Sequence, residues 1–477
     1  MEEFFTMSVK QMAAKVREGS VSSTDLVESH IKRIEEVNPY LNAVISNRFD
    51  EARQEAREAD EKAKSGGELP PLHGVPCTIK DALSVKDMPF VGGVWSRRNR
   101  VGEFDATVVE RVRKAGAIIL GKTNVPEASM WCETYNTVFG RTNNPHDTSR
   151  TCGGSSGGEG AIVGAGASPF GLGADIGGSI RYPSAFCGVP GHKHTATLVP
   201  GTGHWPSAEG ELARYNTYGP ICRKVEDLAY IMPLLIGPDG KDPVTVETEW
   251  TAPESVDLKS IKAFFFDYNG ESRPNPEVRR AVSMAAGALA ATGVSVEHWR
   301  PEGMEDSLEI WQAGMAQNPD PLAKSLGDGE PVPLGKELLK FIARQSKLTL
   351  PGLGAALIEK PGQLLKKRNQ KLLGEADRMR EMIEEKLGEN GVLICPVFPV
   401  PAPRHTRIWL NFPGIGYSGV INILGFPATI IPIYHRPDGV PVSVQVVSRR
   451  FGDHLTLAAA KKLEEVFGGW RCPGKIK

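Results

Sequence analysis

Residues 153–188 hold twelve glycines in 36 positions. Glycine loses more conformational freedom on folding than any other residue. A cluster this dense is tolerated where the backbone needs shapes or close approaches that a Cβ would forbid. The cluster has an internal order. Gly153-Gly154-Ser155-Ser156-Gly157-Gly158-Glu159-Gly160 comes first, and Gly173-Ala-Asp-Ile-Gly-Gly-Ser-Ile-Arg-Tyr-Pro183 follows. A serine stands after tandem glycines twice, at Ser155 and Ser179, 24 positions apart. Two tight turns would account for the residue types but not for the repetition.

Gly177-Gly178-Ser179 has the makings of a nest, in which successive backbone N–H groups converge on one anion. A serine at its end is placed to attack a carbonyl whose oxygen enters the nest. Serine at its ordinary pKa is a poor nucleophile and needs a base. His146 and His192 are the nearest histidines, and no histidine–carboxylate pairing is evident in the sequence. A lysine kept neutral by burial is the other partner such a serine can use. Lys80 fits, because it closes the apolar run Val75-Pro-Cys-Thr-Ile79 and should be drawn inside with it.

Around this cluster the chain has an α/β rhythm. Residues 1–70 read as helices, with Ser8 and Ser23 as caps and 48–64 as a solvated helix. A strand over 75–79 precedes a helix capped by Asp105 and running to Gly116, then a strand over 117–120. Residues 261–266, 276–292 and 294–299 repeat the pattern. Residues 305–388 are mostly helical, broken near Pro319, Pro331 and Pro351. Strands are expected over 391–396 and 442–447, with a closing helix over 454–467. The organisation expected is a single domain over 1–477: N-terminal helices 1–70, a catalytic core 71–300, a helical insertion at about 301–390 and core completion over 391–477.

The overall numbers exclude several classes. Lys and Arg total 56 against 57 Asp and Glu, a net charge of −1, so no basic excess exists to neutralise nucleic-acid phosphates. Hydrophobic residues at 40% and charged residues at 24% suit a soluble globular protein. The longest apolar stretch, 228–236, is well short of the ~20 residues of a spanning helix. With no apolar N-terminal run either, a cytoplasmic protein without a signal peptide is expected. The seven cysteines stand singly and form no CxxC pair, which points to thiols in a reducing compartment.

Lys80, the Gly-Gly-Ser-Ser-Gly-Gly run at 153–158 and the Asp-Ile-Gly-Gly-Ser-Ile-Arg run at 175–181 together resemble the amidase signature family. The resemblance covers essentially the whole chain. The tail, from Asp453-His-Leu-Thr-Leu through Phe467-Gly-Gly-Trp-Arg-Cys-Pro-Gly, is most similar to its fatty acid amide hydrolase branch, type 2. The resemblance implies an α/β/α sandwich, a large mixed sheet flanked by helices with a helical insertion. It implies a Ser–Ser–Lys triad: Ser179 as nucleophile, Ser155 in a cis peptide after Gly154 as proton relay, and Lys80 as base and then acid. It also implies an oxyanion hole from the N–H groups of Ile176, Gly177, Gly178 and Ser179. Asp175 and Arg181 would brace the loop and Ser156 would support the triad by hydrogen bonds. Neither cofactor nor metal is expected. Many members read Gly-Leu-Lys-Pro-Thr after the signature, whereas this chain reads Gly191-His192-Lys193-His194-Thr195, a departure in the loop beyond the nucleophile.

Other motifs deserve refusal. Residues 116–123 match the phosphate-loop pattern, but their interior is Ala-Ile-Ile-Leu, a strand rather than a glycine-rich turn. Gly153 to Gly157 match the G-x-S-x-G elbow, yet the preceding residues 147–152 are polar where an elbow follows a hydrophobic strand. That alternative enzyme would use Ser155 as nucleophile with His405 or His454 as base. His192 and His194 read as a solvated loop rather than a metal pair. Trp205, Trp311 and Trp409 read as packing residues.

The expected reaction is hydrolysis of a C–N acyl bond through an acyl-enzyme. By resemblance the substrates are amides with hydrophobic acyl groups, with esterase or carbamate-hydrolase side activity. Residues 348–358 and 415–427 are candidates to line an acyl channel. The alternative is a urethanase-like hydrolase of carbamates or aryl amides. A glutamine amidotransferase subunit ranks third, and a catalytically silent binding protein is the non-enzyme reading. A small amide or carbamate is the expected partner, with no nucleic acid, no obligatory protein partner, and peripheral lipid contact left open.

Overall fold

The structure, a computed structural model, describes residues 2–318, 320–474 and 476. Pro319 lies outside the described residues, as do the side chains of residues 2, 3, 358 and 360–364.

The strands, in chain order, are β1 Val44–Asn47, β2 Pro76–Lys80, β3 Ile118–Thr123, β4 Tyr135–Asn136, β5 Gly140–Arg141, β6 Phe170–Asp175 and β7 Gly191–Lys193. They continue with β8 Thr217–Cys222, β9 Lys262–Phe265, β10 Ser295–His298, β11 Gly391–Pro396, β12 Ala428–His435 and β13 Pro441–Ser448. Eleven form one sheet in the order β1-β3-β2-β6-β8-β7-β12-β13-β11-β9-β10, and β4 with β5 make a separate hairpin. The sheet is mixed. β3, β2 and β6 run parallel, as do β11, β9 and β10, and antiparallel pairs join the two groups through β8, β7, β12 and β13.

Alternation along these strands feeds two cores. Val392 and Ile394 of β11 belong to one apolar cluster, while Leu393 and Cys395 belong to another on the opposite face. The first core is covered by the helices Val225–Leu235, Pro276–Ala291 and Asp453–Phe467; the helices Lys366–Leu387 and Gly416–Leu424 cover the other face at the β11 end. The α/β/α arrangement expected from the sequence is the one observed.

Local departures have local causes. Ser22, not Ser23, caps the helix Ser23–Leu41, its hydroxyl accepting from the Asp25 amide. Asp105 does not cap the helix Thr107–Lys114; its carboxylate accepts from the Lys86 amide and the Arg113 guanidinium instead. β3 runs straight through the phosphate-loop match, and Lys122 is buried, bonded to the Leu83 carbonyl and 3.6 Å from Asp81. His192 and His194 are fully buried, not solvated. His192 pairs with Asp453 at 3.1 Å and Thr429 at 2.9 Å, so a histidine–carboxylate pair exists, in a packed seam between β7 and the last helix.

Candidate functional site

The site begins with strand alternation. On β2, Cys77 and Ile79 enter the first core, which turns Thr78 and Lys80 to the other face. β6 lies alongside, with Phe170, Leu172 and Ala174 in the same core and Gly171, Gly173 and Asp175 on the face of Lys80. The helix Gly157–Gly164 packs there, and the glycines of β6 make room for it. A Cβ on Gly173 would sit 2.8 Å from Ser156 Oγ, and one on Gly171 would overlap the Glu159 carboxyl. Thr78 donates to Glu159 at 2.6 Å and Thr123 donates to it at 2.8 Å, locking the helix to β2 and β3.

This packing brings Ser155, just ahead of the helix, to the end of β2. Lys80 Nζ lies 2.7 Å from Ser155 Oγ and 3.4 Å from the Ala174 carbonyl. The Gly154–Ser155 peptide is cis. Ser156 bonds both edges of Ala174 through its hydroxyl, at 3.2 and 3.3 Å, and its amide donates to the Ser179 carbonyl at 3.0 Å. The two serine segments are thereby tied together. Ser179 lines the same cavity as Lys80 and Ser155.

Lys80 is completely enclosed. Burial pulls its pKa down to about 7, against the opposing attraction of the Asp175 and Glu159 carboxyls. Glu159 is itself pushed up to about 8 by burial, so its negative charge is suppressed near neutrality. A neutral amine beside a hydroxyl is able to take that hydroxyl's proton.

The loop after β6 is braced by one buried ion pair. Burial disfavours the Asp175 carboxylate, yet Arg181 at 2.9 and 3.0 Å and the amides of Gly178 at 2.8 Å and Ile180 at 3.0 Å hold it far below the usual carboxylate range. Arg181 also donates to Asn422 and, at 3.2 Å, to Gln445. Asp175 and Arg181 are thus paired with each other beneath the loop, and Asn422 and Gln445 add to a brace that no local motif announces. Gly178, at φ +118° with a Cβ position overlapping the Tyr182 ring, admits no side chain.

The four expected amide donors need one correction. Gly178 N–H is engaged by Asp175, which removes it from the set. Among the described residues, the amides of Ile176, Gly177 and Ser179 make no such bond.

The cavity measures about 480 Å³ and reaches from Lys80, Ser155 and Ser179 to the helical stretch beyond residue 300. Its walls include Trp131, Trp409 and Phe412, with the two indole rings 3.9 Å apart, and Trp311, whose Nε1 donates to the Ile176 carbonyl at 3.0 Å. Trp311 and Trp409 thus face the cavity instead of serving only as packing, while Trp205 stacks on the Arg97 guanidinium at 3.9 Å. Of the two apolar segments singled out, 348–358 supplies Pro351 and Ala355 and 415–427 supplies only Ile415; Ile358 lies outside the described side chains. The divergent Gly191 to Thr195 stretch is no part of the wall. Lys193 donates to the Phe426 carbonyl at 2.6 Å and lies inside the fold. His405 is occupied by Glu133 at 2.8 Å and the Thr148 carbonyl at 3.1 Å, and neither it nor His454 lines the cavity or bonds Ser155.

Comparison with known proteins places this chain among amide C–N hydrolases. A family model described as Amidase matches residues 25–457. Human fatty-acid amide hydrolase 2 is 37% identical, the match covering 100% of this chain and 92% of that protein. An acylamidase of Rhodococcus erythropolis is 30% identical, covering 96% of this chain and 95% of the relative. The solved structure of 6-aminohexanoate cyclic dimer hydrolase complexed with substrate superposes with a TM-score of 0.81 at 26% identity, over 99% of this chain and 100% of that one. The chain belongs to the amidase signature family.

Proposed function

We propose that the protein hydrolyses amides through an acyl-enzyme formed on Ser179, with Lys80 as base and Ser155 as relay. The observation that carries this reading is the enclosed Lys80 amine 2.7 Å from Ser155 Oγ, in one cavity with Ser179. Neutral Lys80 takes the Ser155 proton as Ser155 takes that of Ser179, and Ser179 Oγ bonds to the acyl carbon. The amides of Ile176, Gly177 and Ser179 receive the oxyanion. The proton then returns through Ser155 to the leaving nitrogen, the C–N bond breaks, and water releases the acid by the reverse relay.

The similarity to fatty-acid amide hydrolase 2 favours acyl groups that are long and apolar, and the mostly apolar wall suits them. A second substrate class is favoured by Trp131, Trp409 and Phe412, whose mutually packed rings form an aromatic patch in the same wall. Aryl amides and aryl carbamates suit a wall of that chemistry. A fluorophosphonate probe tests the mechanism: adduct on Ser179, mapped by peptide mass spectrometry and lost in Ser179→Ala, is expected. Labelling elsewhere would refute the assignment. Competing an oleoyl amide against an aryl urethane, by kcat/KM, decides between the substrate classes.

A further inference from the structure

Three amides face the cavity only if the peptide units that carry them are held the right way round. In a trans peptide the C=O and N–H point in opposite directions, so fixing a carbonyl on one side aims the following N–H to the other. Each of the three units is held by its carbonyl. The Asp175 carbonyl, opposite the Ile176 amide, accepts from Asn422 at 2.9 Å and Thr217 at 3.0 Å. The Gly178 carbonyl, opposite the Ser179 amide, accepts from the Tyr182 amide at 2.6 Å. The Ile176 carbonyl, opposite the Gly177 amide, accepts from Trp311 Nε1 at 3.0 Å. Two of these holds come from the strands, the buried brace and the helix that follows the loop. The third is one indole, carried by the helix Ser307–Met315 at the start of the helical stretch.

The indole is seated as a pin. A Cβ on Gly177 would stand 2.8 Å from Trp311 Nε1, and one on Gly419 would stand 2.6 Å from Cγ of the same ring. Gly177 is not among the positive-φ residues, so close approach by the indole is what a side chain there would violate. A glycine in the peptide also makes rotation easy once the hold is lost. The rotated peptide would turn the Ile176 oxygen to the cavity and the Gly177 N–H away.

From this we infer that Trp311 is a positioning residue for oxyanion binding: its indole N–H holds the Ile176–Gly177 peptide in the orientation that offers the Gly177 amide to the substrate oxygen. The inference rests on the acyl-enzyme reading above.

The test removes the N–H and keeps the ring, by Trp311→Phe and by replacing Trp311 with 3-benzothienylalanine, whose sulfur stands where the N–H was. The second variant preserves shape if the first fails to fold. Loss of an oxyanion donor typically costs 10²–10³ in kcat, and a peptide freed to rotate should cost about 10–100-fold. KM should stay within about twofold. The affinity of a trifluoromethyl ketone with the substrate's acyl chain should fall by the same factor as kcat/KM. Unchanged kcat and ketone affinity in the isostere would overturn the inference, and so would a loss confined to KM. Fluorophosphonate labelling of Ser179 in the unsubstituted protein is run alongside. Its absence would sink the acyl-enzyme reading itself, whereas labelling with no effect at Trp311 would sink only the positioning role.

Discussion

An amine sealed from water changes what pH does to an enzyme. Lys80 has a folded pKa of about 7 against an ordinary 10.5, so it is mostly charged at pH 6 and mostly neutral at pH 8. Activity should therefore rise about tenfold per pH unit below 7 and level off above it, in a kcat/KM profile of the folded enzyme. A flat profile from pH 5 to 9 would contradict Lys80 as base. Lys80→Met should abolish turnover and the slope together. Ser179→Ala should lower kcat by about 10⁶, as nucleophile loss does in another serine hydrolase, while leaving substrate binding measurable by competition. The buried pair is the stability counterpart. Truncating Asp175 to Ala leaves Arg181 enclosed without its charge partner, a loss of about 3–5 kcal/mol that urea denaturation should register.

At the scale of elements, the fit between β6 and the helix Gly157–Gly164 places Ser155 beside Lys80. Gly171→Ala puts a methyl into the Glu159 carboxyl, and such overpacking costs about 1–3 kcal/mol, measurable as a lower urea midpoint at unchanged slope. This is also where the sequence was most and least readable. Lys80, Ser155, Ser179, Asp175 and Arg181 sit in two short runs and one strand end, so the chemistry proposed for them can be spelled out locally. Phe-Gly-Leu-Gly-Ala-Asp at 170–175 alternates as a strand does, with its glycines on the face that admits a helix, but a reading of the glycine cluster as a nest for chemistry passes over it. Asn422, Gln445 and Trp311 had no such signal. They come from more than 130 positions away, and nothing local in an Asn, a Gln or a Trp says which backbone atom it will meet. The burial of His192 is hidden for the same reason, since its partners Asp453 and Thr429 are far along the chain, and His194 accepts from the Tyr218 amide of another strand.

Across the molecule, the helical stretch is fastened to the core at a few points. Arg97 and Arg100 both grip Asp328, at 2.6 and 2.8 Å, and Glu127 accepts from the Thr349 amide at 2.9 Å and its hydroxyl at 2.8 Å. Burial raises the Glu127 pKa to about 7 despite those bonds. Because the folded value lies above the unfolded 4.5, the folded state holds the extra proton between the two. This group's contribution is full below pH 4.5 and is lost as pH rises through 7. Glu127→Gln keeps an acceptor and cannot ionise, so its melting temperature should change less between pH 5 and pH 8 than that of the unsubstituted protein. Calorimetric scans at the two pH values check this.

The machinery proposed for proton transfer is confined to residues 80–181, whereas much of the chamber's lining comes from residues 309–412. One half of the polypeptide therefore supplies the tool and the other the jig. Descendants of such a chain are free to rewrite the jig, and with it their diet of acyl and amine groups, while the tool stays untouched. The indole at 311 is where that freedom stops, because there the jig reaches into the tool and sets one of its edges.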